Sequence, residues 1–170
     1  GFRLDTGDVV QAGGSGMLML TARGGTSSGS NNHGVVLVGD GTSGGTRLFA
    51  AGGTVLVTAV GGGTDSSTSG NNLGLWLTDG AVISAGGSGS VTVTASGGAG
   101  QAGNNRGLVI DGDKGAPGIA TVDHTFISTN GGFLAVNAYG GGNSSAGAGN
   151  DGLLLLNHGT LGTAASVAYA

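Results

Sequence analysis

The chain has 170 residues, of which 42 are Gly, one is Pro and none is Cys; 38% are hydrophobic and only 8% are charged, with five Lys or Arg against nine Asp and no Glu. A formal charge of −4 with scattered Arg offers no basic patch for nucleic acid. The lack of Cys excludes a disulfide framework and thiolate-bound zinc, and no apolar run approaches the roughly 20 residues that cross a bilayer. What remains is one domain's length of chain, whose short runs VVLV, LWL, LVI and LLLL supply a narrow core of Val, Leu, Ile and Ala.

The opening GFRLDTGD has no initiator Met and no signal-peptide pattern, and reads as the start of a processed chain or a fragment. Three phrases follow: DVVQAGG (Asp8 to Gly14), LMLTARGG (Leu18 to Gly25) and NNHGVVLV (Asn31 to Val38). They return in the same order as RLFAAGG (Arg47 to Gly53), VLVTAVGG (Val55 to Gly62) and NNLGLWLT (Asn71 to Thr78), then as AVISAGG (Ala81 to Gly87), VTVTASGG (Val91 to Gly98) and NNRGLVID (Asn104 to Asp111). The last round is FISTNGG (Phe126 to Gly132), LAVNAYGG (Leu134 to Gly141) and GNDGLLLL (Gly149 to Leu156), with TLGTAA near Thr160 as a degenerate further copy and SVAYA (Ser166 to Ala170) at the end.

Alternation of apolar and other residues with a period of two predicts a strand in each phrase, and dense Gly with no three-to-four residue apolar spacing argues against helices. Equivalent Asn residues (Asn32, Asn72, Asn105, Asn150) are 40, 33 and 45 residues apart. Fixed strands joined by linkers of variable length predict an all-β fold, a right-handed parallel β-helix or β-solenoid of about four rungs with three short strands each. It fills a single domain over 1–170, with rungs near 8–46, 47–80, 81–125 and 126–170. A β-sandwich or β-roll of hairpins is the alternative, though it leaves the recurring order unexplained.

Stacking the rungs turns each alignment position into a column with a spacing of about 4.8 Å. The expected inward columns are Leu18/Val55/Val91/Leu134, Leu20/Val57/Val93/Val136 and Ala22/Ala59/Ala95/Ala138, with Thr21/Thr58/Thr94/Asn137 facing solvent. In the next strand, inward Val35/Leu75/Leu108/Leu153 and Leu37/Leu77/Ile110/Leu155 force Val36, Trp76, Val109 and Leu154 outward. That apolar column is either roofed by loops or an interface for another copy or partner. Asn32, Asn72, Asn105 and Asn150 are expected to form a structural ladder, each amide bonded to the next while capping its turn.

The chemistry-bearing residues are few. Asp40, Asp79, Asp111 and Asp113 lie in Asp-Gly turns, where stacked carboxylates would repel; they are solvated turn residues or share Ca²⁺, although the glycine-rich calcium repeat is absent. Polysaccharide-acting enzymes need paired carboxylates, and the nearest pairings are Asp111 with Asp113 and Asp123 with His124, in a chain with no Glu and one Lys. His33, His124 and His158 are too dispersed for a zinc site. No Ser lies in a nucleophile-elbow sequence, and Asn143-Ser144-Ser145 matches a glycosylation acceptor. An ice-ordering face would need regular Thr columns, and only one is nearly complete.

VTVTASGG…GNNRGLVIDG and TVLVTAVGGG…GNNLGLWLTDG resemble the repeat arrays of large secreted bacterial surface proteins of the haemagglutinin/adhesin type, over residues 8 to about 165. The resemblance implies a stalk or fibre outside the cell, with no fixed catalytic motif. The ends of the chain are nearly in phase and carry no evident cap, so end-to-end stacking into a filament is expected. The leading expectation is a non-catalytic extracellular or cell-surface structural β-solenoid with no cofactor, self-associating end to end and laterally, without nucleic-acid binding or membrane insertion. An adhesin module that takes glycan or a partner surface on the loops 24–31, 61–70, 97–103 and 140–149, near Tyr139, is the alternative. A polysaccharide-acting β-helix enzyme is the third reading.

Overall fold

β-branched and Leu-rich runs bounded by Gly favour extended backbone, and neither neighbour can continue a helix. The computed structural model describes residues 1–41, 45–112, 125–143 and 147–163. Fourteen strands occur among them: β1 (Phe2–Leu4), β2 (Val9–Ala12), β3 (Leu18–Arg23), β4 (Val35–Val38), β5 (Arg47–Ala50), β6 (Val55–Val60), β7 (Leu75–Thr78), β8 (Val82–Ala85), β9 (Val91–Ser96), β10 (Leu108–Asp111), β11 (Phe126–Thr129), β12 (Leu134–Tyr139), β13 (Leu153–Leu156) and β14 (Thr160–Thr163).

Successive strands visit three sheets in turn, β1-β4-β7-β10-β13, β2-β5-β8-β11-β14 and β3-β6-β9-β12, and every pairing is parallel. The chain is thus an all-β solenoid of about four turns, three strands to a turn. Hairpins are absent from these pairings, which removes the sandwich and the roll. The register is the one the repeats imply: Leu18 pairs with Val55, Val55 with Val91 and Val91 with Leu134, and the Thr21, Thr58, Thr94 and Asn137 positions align likewise.

A strand with one face inward buries every second residue, and β6 and β9 do so along their whole length. Inward residues from the three sheets merge into one core, in which Val35, Leu37, Leu48, Val57, Leu75, Leu77, Ile83, Val93, Leu108, Ile110 and Ile127 are fully buried. A rung cannot cover its own inward side chains; the rungs above and below complete the enclosure.

Three features depart from the sequence reading or refine it. The chain enters the fold one strand early, because β1 pairs in register with β4 (Phe2 with Val35, Leu4 with Leu37); the phrase from Asp8 to Gly14 is the second strand of the first rung. TLGT forms β14, paired with β11, whereas SVAYA lies outside the described residues. At the last described rung, Leu153 and Leu155 are 41% and 44% exposed, although their column mates Leu75, Leu108, Leu77 and Ile110 are fully buried.

Candidate functional site

The corner that leads into β4, β7, β10 and β13 carries the most regular chemistry in the molecule. Its first residue is left-handed in all four copies: Asn31 (φ 65°), Asn71 (φ 53°), Asn104 (φ 56°) and Gly149 (φ 81°). Asn and Gly are the residues that tolerate this conformation, which explains why GND can replace NNx in the last copy. Three positions further on stand Gly34, Gly74, Gly107 and Gly152. A Cβ on Gly74 would meet the carbonyl oxygens of Gly107 and Ser96 at 2.6 Å, so the backbones approach too closely there for any side chain.

Between these positions lies the asparagine ladder. The backbone N–H and Nδ2 of Asn32 donate to Asn72 Oδ1 at 2.9 and 3.1 Å. Those of Asn72 donate to Asn105 Oδ1 at 3.2 and 3.0 Å, and the N–H of Asn105 donates to Asn150 Oδ1 at 2.9 Å. The remaining amide hydrogens hold the linkers: Asn32 Nδ2 to Gly29 O (2.7 Å), Asn72 Nδ2 to Ala99 O (2.6 Å), Asn105 Nδ2 to Gly100 O (3.2 Å) and Asn150 Nδ2 to Gly147 O (2.7 Å). Asn72 and Asn105 are fully buried, where an unpaired peptide N–H would be costly. A carboxamide neither gains nor loses a proton near neutrality; the chemistry this site performs is hydrogen bonding to backbone.

Val36, Trp76, Val109 and Leu154 stack as one column beside the core, in register with Arg3 of β1. Val36 and Val109 are only 5% exposed, and Trp76 and Leu154 are half-buried. The Trp76 ring meets the His33 imidazole at an angle of 62° with 5.7 Å between centroids. His33 Nδ1 accepts the backbone N–H of Leu73 at 3.2 Å. Burial, reinforced by the positive charge of Arg3, pushes the His33 pKa below the ordinary histidine value. Arg3 is itself held by Asp5 at 2.6 Å, an exposed pair that lowers the Asp5 pKa through its hydrogen bonds.

The acidic turns do not form a stacked carboxylate column. Asp111 is in register with Thr78 and Leu156, and its carboxylate accepts from Asn157 Nδ2 at 2.6 Å. Asp79 instead faces Gly39, whose N–H donates to Thr78 O at 2.9 Å, and Asp40 comes one residue later. The Asp-Gly phrases look equivalent but begin at three successive positions of the corner. Among the described residues, no group of three His or Asp gathers with the spacing of a metal site. Asp113, Asp123 and His124 lie outside the described residues, so both carboxylate pairings do as well. His158 is exposed in a left-handed turn.

The linkers 24–31, 61–70 and 97–103 and the described residues of 140–149 stack at the ladder corner. There Asp65 Oδ1 accepts from Gln101 Nε2 at 3.1 Å and from Asn143 Nδ2, tying three rungs together. Tyr139 closes β12 beside them and is 57% exposed. Arg106 pairs with Asp151 across one rung at 2.9 Å. The His33–Trp76 contact escapes sequence reasoning, because His33 aligns with Leu73 and the two rings meet diagonally between columns. No protein-family model matches the chain, and neither a curated protein nor a solved structure does.

Proposed function

We propose that the chain is a non-catalytic structural β-solenoid, a segment of an extracellular fibre or stalk to which further rungs add end to end. The observation that carries this reading is the unbroken parallel register of the three sheets, in which the inward residues of each inner rung are enclosed by the rungs on either side. A rung added in the same register continues the parallel ladders without any change of shape. Stiffness then follows from three hydrogen-bonded sheets, a continuous Val/Leu/Ile core and an amide ladder along one corner. Gly- and Ser-rich linkers with few charges suit a surface held in water outside the cell, and the half-buried Trp76 and Leu154 are the side chains that lateral packing of two rods would use.

Negative-stain electron microscopy of the material from its source, combined with intact mass measurement, tests this reading. Straight, unbranched rods of uniform width are expected. Compact particles with no tendency to elongate, at any protein concentration, would overturn it. The exposure of Tyr139 beside the stacked linkers supports a second reading, an adhesin face for glycan; binding on a glycan array that disappears in Tyr139→Ala would establish it.

A further inference from the structure

Among the described members of its column, His33 is the one whose side chain accepts a backbone N–H of the next rung; Asp151, the last of them, accepts from Arg106 instead. Leu73 and Arg106, which follow it in the column, carry no acceptor. The Leu73 N–H bond to Nδ1 therefore exists only while the imidazole is neutral, with its proton on Nε2. The same ring lies edge-on to Trp76, the only Trp in the chain. Of the segments packed against it, β1 presents Arg3, whose charge opposes an imidazolium; Asp5, just after β1, is engaged by Arg3, and the amino-terminal Gly1, just before it, packs against the His33 carbonyl. The β7 side presents Leu73 and Trp76, which are uncharged. Arg106, beyond Leu73, is engaged by Asp151. Among the described residues no carboxylate is in hydrogen-bond contact with the ring.

We propose that His33 and Trp76 form an acid-sensitive latch that holds the rung of β4 to the rung of β7. Protonation puts a hydrogen on Nδ1, so that two donors face each other where one bond stood, and it adds a positive charge beside Arg3. The ring then leaves its seat for water, the Leu73 N–H loses its partner, and Trp76 is uncovered. The sign follows from the burial of the neutral ring. The latch is closed above the ordinary histidine range and opens as pH falls below it. This device concerns the corner alone and stands whether or not rods form.

The test uses the 170-residue chain from about pH 8 to about pH 4.5. Three signals are followed: the ¹⁵N shifts of the His33 ring, hydrogen exchange at the Leu73 amide corrected for its intrinsic pH dependence, and Trp76 fluorescence. All three are expected to change together, with a midpoint below 6.5. Opening at Leu73 should rise about tenfold for each pKa unit that separates the closed from the open corner. His33→Gln keeps an acceptor that does not titrate and should flatten the exchange and fluorescence changes; His33→Leu should leave Leu73 open at every pH. A His33 ring that protonates while Leu73 stays protected overturns the latch. So does a ring that stays neutral throughout, or a fluorescence change that survives in His33→Gln.

Discussion

Replacing Asn105 with Ala removes the middle of the ladder and leaves the strands untouched. Two donors on Asn72 lose their acceptor, the backbone N–H at 3.2 Å and Nδ2 at 3.0 Å, and Gly100 O loses the Asn105 Nδ2 donor. Asn72 Nδ2 keeps Ala99 O at 2.6 Å and Ser69 Oγ at 3.0 Å, so the side-chain loss is mild. The stranded backbone N–H lies in a site that water does not reach, and such a group costs about 1–3 kcal/mol. With the lost bond to Gly100, a total near 2–4 kcal/mol is expected. Urea unfolding followed by far-UV circular dichroism reads this as a lower midpoint at unchanged slope. Asn150→Ala, at a half-exposed position, should cost about 1 kcal/mol because water can replace its carboxamide. An Asn105→Ala loss below about 0.5 kcal/mol, or one no larger than that of Asn150→Ala, would refute the reasoning that the buried amides carry the corner.

Ile110→Ala cuts a fully buried side chain from the middle of the core and should cost about 2–5 kcal/mol, whereas Leu155→Ala in the same column, 44% exposed, should cost under about 1 kcal/mol; equal losses in thermal unfolding would contradict the enclosure by neighbouring rungs. Gly74→Ala drives a methyl into backbone carbonyls on two sides and should prevent folding of the central rungs. By contrast, Gly14→Ala meets open space and should cost only about 1 kcal/mol for its left-handed φ of 54°, as judged by soluble yield and unfolding midpoint. Because folding lowers the His33 pKa, its contribution is complete above 6.5 and is withdrawn as pH falls through the range below that value. The urea midpoint of the wild-type chain should therefore drop in mild acid more than that of His33→Gln.

The three recurring phrases made the solenoid legible, since each pairs an alternating run with a turn that tolerates only Asn or Gly. Inward and outward columns followed from residues such as Val57, Thr58 and Ala59 without any coordinates. β1 was not legible because FRL is three residues long and lacks the Asn pair that marks its equivalents. The offset of the acidic turns was not legible, for a physical reason. Asp-Gly can begin a turn at any of three successive positions, so matching the dipeptides hid the slip that aligns Asp79 with Gly39 and Asp111 with Thr78. The His33–Trp76 pair was invisible because an alignment stacks residues straight along the axis and the rings meet across it. The half-burial of Trp76 and Leu154 beside the nearly buried Val36 and Val109 likewise depends on neighbours outside the strand itself.

Parallel in-register stacking of the rungs is the claim on which the rest depends, and engineered disulfides test it directly because the chain has no Cys of its own. Thr58 and Thr94 are paired on the outer face of β6 and β9. In such a pair the Cα atoms are about 4.8 Å apart, within disulfide reach. Ser96 is two residues out of register with Thr58, about 8 Å away and beyond that reach. The doubly substituted chain Thr58→Cys/Thr94→Cys should oxidise to an intramolecular disulfide in the folded state, while Thr58→Cys/Ser96→Cys should stay reduced under the same conditions. Oxidation of the second pair as readily as the first, or of neither, would contradict the solenoid register.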